Sequence, residues 1–294
     1  MKLLRNLFLF ILFILLVDVG RYFVVPDVAE LKTVNPETTA FMESRKAQWR
    51  RDGIDRTISQ RWVPLSRVSP MLVKAVLIAE DDKFWHHEGF DYEAIRNAVE
   101  KDIEAREFRF GASTISQQLA KNLYLSPSKN PVRKLQEAIL TWRLERTLSK
   151  RRILELYVNT VEWGSGIFGI EAAAKHYYGI SASQLTANQA ARLAAVLPNP
   201  IRFKPNGTSR FVEKRARLIQ GIMMRRGLVV PDYREVISEP DTTGSAQPDS
   251  VVVGIPEGLI DEALQADSTA EKGGDSAEKE PVHVESEQKS QSGD

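Results

Sequence analysis

At 294 residues the chain has the length for one large domain with appendages, and its lack of cysteine excludes disulfide staples and thiolate metal sites. The formal net charge of +1 conceals a division: from Glu239 onward 14 acidic residues accompany 3 lysines, which leaves 37 basic and 25 acidic residues upstream. A basic body of this kind suits an anionic partner, whether nucleic acid, phospholipid or a phosphorylated substrate, and composition alone does not choose among them.

Leu7 to Val17 is wholly apolar and follows Lys2 and Arg5. That run is shorter than the ~20 residues that cross a bilayer, and extension to Val25 supplies the length by taking in Asp18 and Arg21 near the interface. A cleaved signal peptide is the rival, but Asp27-Val28-Ala29 makes a poor cleavage site. Residues 1–25 therefore read as a cytoplasmic stub and an uncleaved transmembrane anchor, its N-terminus held inside by the two basic residues. Residues 26–65 read as a membrane-proximal linker. It holds a helix over about 36–51, with Phe41, Arg45 and Gln48 on one face, then an extended segment to Pro64. Arg45, Lys46, Arg50 and Arg51 form a basic cluster whose plainest account is a solvated face beside lipid headgroups.

Across residues 66–230 helix follows helix, with no strand alternation of any length and no internal repeat, so the fold class is mainly α. Ser69-Pro70 opens the apolar run Met71 to Ala79 as an N-cap and a first-turn proline. Asp91 caps a helix to about Arg106. Asn130-Pro131 opens a long helix with Leu135, Ile139, Trp142 and Leu148 at helical spacing. Thr186 and Gln189 form a capping box for a helix that Pro198 stops. Ser209 to Arg226 is the last long helix, and Gly227 is placed to end it. Residues 231–294 are acidic, rich in Ser, Gly and Gln, and largely unable to bury enough apolar surface to order themselves; only 251–266 has the Val, Ile and Leu for a short docked element.

Chemistry-bearing residues gather in five strings. The first, Ala79 to Asp91, delivers Glu80, Asp81, Phe84, His87 and Gly89 at the end of an apolar helix, in the pattern E-D-x-x-F-x-x-H-x-G; a site wall and a solvated helix terminus compete to explain it. In the second, Gly111 to Asn122, a helix opened near Ser113 puts Thr114, Gln118 and Lys121 on one face, and Gln117 also beside Lys121. Two amides and an ammonium near a helix N-terminus make an anion cradle. The third, Arg133 to Glu137, spaces its end residues at i, i+4, for which an intrahelical ion pair is the plain account. In the fourth, Lys150 to Asn159, Ile153, Leu154 and Tyr157 pack while Asn159 fixes the following turn. The fifth, Gly169 to Gly179, is mostly packing. His86 and His87 read as structural, because no further histidine–carboxylate cluster accompanies them, and no metal site is assigned.

Splitting a glycosidic bond ordinarily takes two carboxylates, one protonating the leaving oxygen. A pyrophosphate leaving group needs no such proton where cations meet its charge. This sequence offers that inventory: Glu80 as one general base, with Lys121, Arg133 and Lys134 as cations. Like charge on Asp81 and Asp82 is expected to disfavour ionisation of Glu80 and strengthen it as a base.

Taken in order, the five strings resemble the motifs of the peptidoglycan glycosyltransferases (glycosyltransferase family 51), over about Val63 to Pro205. With no transpeptidase domain following, the likeness is to the monofunctional type of Gram-negative bacteria. The family often has Phe and Lys where this chain has Tyr178 and Ile180. The resemblance implies a lysozyme-like helical domain with a smaller membrane-proximal lobe drawn from about Arg96 to Ser128, a mobile loop over 101–109, and a groove open to the membrane. It also implies a single-pass inner-membrane protein with a periplasmic catalytic domain. The implied reaction passes the undecaprenyl-pyrophosphate-linked glycan to the GlcNAc 4-hydroxyl of lipid II, with inversion and loss of undecaprenyl pyrophosphate. Glu80 and Glu137 are the implied catalytic residues, Glu80 as base and Glu137 orienting the cations or helping to hold a divalent ion. Asp81, Phe84, His87, Ser113, Thr114, Gln117, Gln118, Lys121, Asn122, Arg133 and Lys134 are the implied substrate contacts. No cofactor is required, and a divalent cation (Mg or Mn) is left open, as are partners among cell-wall synthesis or division proteins. Two other readings compete: a membrane-anchored muramidase with Glu80 as general acid, and a non-enzymatic scaffold for lipid II. Nucleic acid is set aside, since the anchor places the domain outside the cytoplasm.

Overall fold

A computed structural model of the chain describes residues 1–105, 113–128 and 130–226. The expected glycine stop at Gly227, the acidic tail at 231–294 and residues 106–109 of the expected 101–109 loop lie outside the described residues. Residues 101–105 belong to the end of a helix instead.

Helix α1 (Lys2–Gly20) spans about 28 Å at 1.5 Å per residue, close to a ~30 Å hydrocarbon core. Its side chains from Leu3 to Val17 stand open to the surroundings, as suits a single-pass anchor. The end of α1 is not a free hinge. Asp18 Oδ2 accepts from Gln136 Nε2 at 2.7 Å, and Arg143 donates to the carbonyls of Tyr22 and Val24 at 2.9 Å each. Phe23 meets Trp142 edge to face.

The segment read as a linker is packed into the domain. Val28, Leu31, Val63 and Leu65 join the main core, and Arg152 staples the carbonyls of Leu31 and Val34 at 2.7 and 3.0 Å. Helix α2 (Ala40–Arg51) begins later than expected because Thr39, in extended backbone, caps Met42 N–H. Its Arg45 is no solvated residue: it grips both oxygens of Glu162 at 2.9 and 2.8 Å. Three short strands escaped the sequence pattern, since two or three residues are too few to display alternation. β1 (Ser59–Gln60), β2 (Glu162–Gly164) and β3 (Ile167–Phe168) form a sheet ordered β1-β3-β2. β1 runs parallel to β3, with Ser59 opposite Ile167, and β2 runs antiparallel to it.

The core is built from α3 (Pro70–Glu80), α5 (Ile115–Tyr124), α6 (Pro131–Thr147), α7 (Lys150–Thr160), α8 (Ile170–Tyr178), α9 (Ala187–Val196) and α10 (Arg210–Arg225). α4 (Tyr92–Ala105) lies outside it, capped by Asp91 through Ala94 N–H at 2.9 Å. The smaller lobe therefore does not extend to Ser128: Ile115, Leu119, Ala120 and Leu123 bury α5 in the main core. Ser69 stands at the start of α3, but its hydroxyl donates to Leu185 carbonyl at 2.8 Å rather than capping the helix. The expected capping box of α9 is present, from Thr186 and Gln189.

On α6 the expected apolar face holds only in part: Leu148 is in the core and Ile139 packs against it. Leu135 and Trp142 are exposed, while Gln136, Glu137, Leu140, Thr141 and Leu144 are buried. The polar members of that buried face are held by Asp18 (Gln136), the cations of its first turn (Glu137) and the Glu137 carbonyl (Thr141). Asn159 also acts differently from expectation. Its amide exchanges hydrogen bonds with Val63 N–H and carbonyl at 2.9 and 2.8 Å, clamping the β1 segment rather than the following turn.

The turn from β3 into α8 falls to Gly169, at φ +79 and ψ 146, backbone that essentially only glycine adopts. A Cβ here would meet Asn159 carbonyl oxygen at 2.7 Å. Gly169→Ala is expected to lower stability by roughly 1–3 kcal/mol from the backbone alone, read as a lower urea midpoint by tryptophan fluorescence; an unchanged midpoint would refute this account of the turn.

Candidate active site

Glu80 is the last residue of α3, with 11% of its side chain exposed. The helix ends there because Asp81 turns to extended backbone (φ −165), and the next side chains are committed inward. Asp81 accepts from Ile115 N–H at 2.9 Å and pairs with His87 Nε2 at 2.9 Å. His87 Nδ1 in turn accepts from Gly89 N–H at 3.1 Å. Gly89 sits at φ +90, where a Cβ would strike Thr141 and Glu145 at 2.8 and 2.9 Å. Phe84 is fully buried, with the Lys150 ammonium 4.6 Å from its ring centre.

α5 opens at Thr114 rather than near Ser113, through a capping box with Gln117 that the sequence reading did not name. Thr114 Oγ1 accepts from Gln117 N–H at 3.2 Å, and Gln117 Oε1 accepts from Thr114 N–H at 3.0 Å. Thr114 also donates to Gly89 carbonyl at 2.7 Å, which welds the first string to the second. Thr114, Gln117, Asp81, His87 and Phe84 thus face inward and form the frame of the site. Asn122 is buried as well.

The residues that remain for chemistry are Glu80, Ser113, Gln118, Lys121, Arg133, Lys134 and Glu137. Gln118 Nε2 donates to Glu80 Oε2 at 3.0 Å, and Tyr157 hydroxyl donates to Gln118 Oε1 at 2.9 Å, which fixes the amide's orientation. Burial pushes the Tyr157 phenol well above its ordinary range, so it stays a neutral donor. Burial also raises Glu80, opposed by the charge of Arg215, the Gln118 hydrogen bond and Lys121. The expected cause was wrong. Asp82 is paired with Arg226 and Asp81 with His87, so desolvation, not acidic neighbours, raises the Glu80 carboxyl.

Lys121 links the two halves of the site. Burial lowers its ammonium, Arg133 and Lys134 lower it further, and Glu137 and Glu80 oppose them. Phe41 of α2 covers it, with the ammonium 5.7 Å from the ring centre. Glu137, 3% exposed, holds Arg133 Nη1 at 3.1 Å and also Lys134 Nζ. Lys134 Nζ reaches Ser113 Oγ at 3.5 Å, and Arg133 Nε donates to Ser128 carbonyl at 2.6 Å. Both oxygens of Glu137 therefore face cations. Among the described residues no three His, Cys, Asp or Glu side chains converge to hold a metal ion. The residues present do not fit a divalent cation at Glu137.

Arg215 is the functional-site residue that sequence reasoning missed. Its Nη2 donates to Glu80 Oε1 and to Ala79 carbonyl, both at 3.1 Å. No motif marked it, yet a signal existed: Phe211, Val212, Ala216, Ile219, Ile222 and Met223 form the buried stripe of α10, and Arg215 sits within that stripe.

The transglycosylase family matches residues 49–224, a stretch that contains Glu80, the α5 and α6 polar groups and Arg215. The chain belongs to the transglycosylase family. A relative from Nitrosospira multiformis is 46% identical over 215 residues, covering 73% of this chain and 94% of its own. Others from Methylobacillus flagellatus and Azoarcus sp. (strain BH72) are 49% and 51% identical over 189 and 178 residues, covering 64% and 60% of this chain and 82% and 77% of theirs. All three bear the name biosynthetic peptidoglycan transglycosylase. The transglycosylase domain is lysozyme-like and mainly helical, and its members are glycosyltransferases.

Within the transglycosylase frame, Asp81 and Asp82 separate cleanly. Asp81→Ala orphans two buried partners and is expected to cost about 2–4 kcal/mol of stability. Asp82→Ala removes an exposed pair and is expected to cost about 1 kcal/mol or less. Denaturant unfolding of both variants checks this; equal losses would reject the framing role of Asp81.

Proposed function

We propose that this transglycosylase polymerises peptidoglycan glycan chains, transferring an undecaprenyl-pyrophosphate-linked chain to the GlcNAc 4-hydroxyl of lipid II. The acceptor oxygen attacks the anomeric carbon of the donor's terminal muramyl unit, and the carbon–phosphate-oxygen bond breaks with inversion. The hydroxyl proton passes to Glu80, and the electron pair leaves with undecaprenyl pyrophosphate. Lys121, Arg133 and Lys134 meet the developing charge on the pyrophosphate. Ser113 and Gln118 help to hold the donor, and Glu137 keeps Arg133 and Lys134 together.

The observation that carries this reading is that α5 meets both parts of the site: Gln118, three residues before Lys121 on that helix, holds Glu80 at 3.0 Å, and Lys134 of the α6 cation group reaches Ser113 at the start of α5 at 3.5 Å. A base and a cation nest in mutual reach are what expulsion of a diphosphate requires. Each cation contributes on the order of 4 kcal/mol of attraction at an effective dielectric near 20, and a positioned base contributes about 10²–10⁴ in rate. A muramidase with Glu80 as acid is disfavoured by the cation set, since splitting a neutral glycan has no use for Lys121, Arg133 and Lys134. Arg215 and Gln118 each direct an N–H at one oxygen of Glu80, and these donors oppose the burial that raises its carboxyl. The same chemistry sets the expected location, an inner-membrane protein with this domain on the periplasmic side, where the anchor holds it against its lipid-linked substrate.

Glu80→Gln is expected to remove about 10²–10⁴-fold of the rate of glycan formation from purified lipid II, read on gels, with lipid II binding retained; wild-type turnover by this variant would sink the base assignment. The pH dependence follows from the two shifted groups. The base acts only above the raised Glu80 pKa, and the cation acts only below the lowered Lys121 pKa. A bell-shaped profile narrowed from both sides is expected, and Lys121→Arg, if active, should lose the alkaline limb while keeping the acidic one.

A further inference from the structure

We infer that Arg215, on the last helix, is a positioning residue that holds Glu80 ionised and aimed, so that a carboxyl taken out of water still serves as the base. This rests on the proposed reading of Glu80. The geometry is that of a clamp. One nitrogen of the guanidinium, Nη2, lies 3.1 Å from both Glu80 Oε1 and Ala79 carbonyl oxygen. The side chain therefore registers against the end of α3 itself as well as against the carboxylate. On the other side Gln118 holds Oε2, backed by Tyr157. Each oxygen has its own donor.

The expense of this arrangement argues for a role in chemistry. Arg215 is 7% exposed and stands among apolar residues of α10, and its Nε is buried with no hydrogen-bond partner among the described residues. A methionine or leucine in the same stripe would pack without that loss, and buried ion pairs are weak contributors to stability compared with such packing. A second ion pair, Arg226 with both oxygens of Asp82, ties the end of α10 to the residue two beyond Glu80. α10 thus braces the turn that carries the base.

The charged and titratable groups around Glu80 are few. Lys121 acts on it from α5 and Tyr157 from α7. Asp81, its neighbour in sequence, is turned to His87 and Ile115 N–H. Arg192 of α9 is engaged with the carbonyls of Pro205 and Gly207. Arg215 is the cation in direct contact with the carboxylate, and burial otherwise favours the protonated acid.

The test is the pH profile of kcat/KM for lipid II polymerisation by full-length protein in detergent, for wild type, R215M, R215Q, R215K and E80Q. Met matches the apolar stripe and Gln keeps a polar donor, so two neutral variants guard against one that fails to fold, with thermal midpoints identifying the folded ones. The acidic limb of either neutral variant is expected to move up by about 1–2 pH units, with a loss of roughly 10–100-fold at a pH on the wild-type acidic limb that shrinks as pH rises. R215K, which keeps the charge, should return most of the shift. An unmoved limb, or a loss equal at every pH, overturns the proposal. An inactive E80Q beside an unmoved limb defeats the role of Arg215 alone, whereas an active E80Q defeats the reading of Glu80 itself.

Discussion

A carboxyl group carried out of water will take up a proton unless its charge is met, and the architecture of this domain is arranged around that fact at Glu80. Removing a carboxylate from water costs several kcal/mol even after relaxation. Contact with one guanidinium is worth on the order of 4 kcal/mol at an effective dielectric near 20. The two effects are of similar size, so neither the acid nor the carboxylate wins by a wide margin. Such near-balance is what a general base needs, because a fully solvated carboxylate is too weak and an unpaired buried one is already protonated. Four helices supply the balance: α3 ends in the carboxyl, α5 brings Gln118 and Lys121, α7 brings Tyr157 and α10 brings Arg215.

The spacing of the first two strings has a mechanical reason. Glu80 projects toward the site, so the following residue points the other way, and Asp81 uses that direction to hold Ile115 N–H at the start of α5. His87 props Asp81, Gly89 allows the chain to pass close to Thr141 and Glu145, and its carbonyl accepts from Thr114. Thr114 then closes the capping box with Gln117. Glu80 and Gln118 meet because the residues beside them join α3 to α5. Residues that look like ligands in a string of letters can thus be the fittings that set the ligands' positions.

Much of this was legible in the sequence, and the limits have physical causes. Caps at Asn130 and Thr186 are local, three or four residues long, and could be read directly. The polar face of α5 and the ion pair of Arg133 with Glu137 follow from helical period. What escaped were contacts between distant segments. Whether Gln117 serves a substrate or a helix end depends on backbone geometry at Thr114, and the buried face of α6 is decided by Asp18 and the basic residues around it, not by its own apolar count. Arg215 lay 135 positions from Glu80, with no pattern linking them. Its one trace was a charge in an apolar stripe, a contradiction between local chemistry and helical period of the sort that marks a functional site.

The anchor belongs to the same argument. Gln136 reaches back to Asp18 at the end of α1, and its sequence neighbour Glu137 holds Arg133 and Lys134. About two turns further along α6, Arg143 fixes the carbonyls of Tyr22 and Val24. The helix that carries Arg133 and Lys134 is therefore bolted to the end of the apolar N-terminal helix, at a separation set by these hydrogen bonds rather than by a flexible tether. In the proposed reaction, whose leaving group is itself attached to a lipid, the distance between cation and bilayer is a catalytic coordinate. A nest of positive charge free to drift a few ångströms along the membrane normal would lose contact with a diphosphate whose own depth is fixed by its lipid tail.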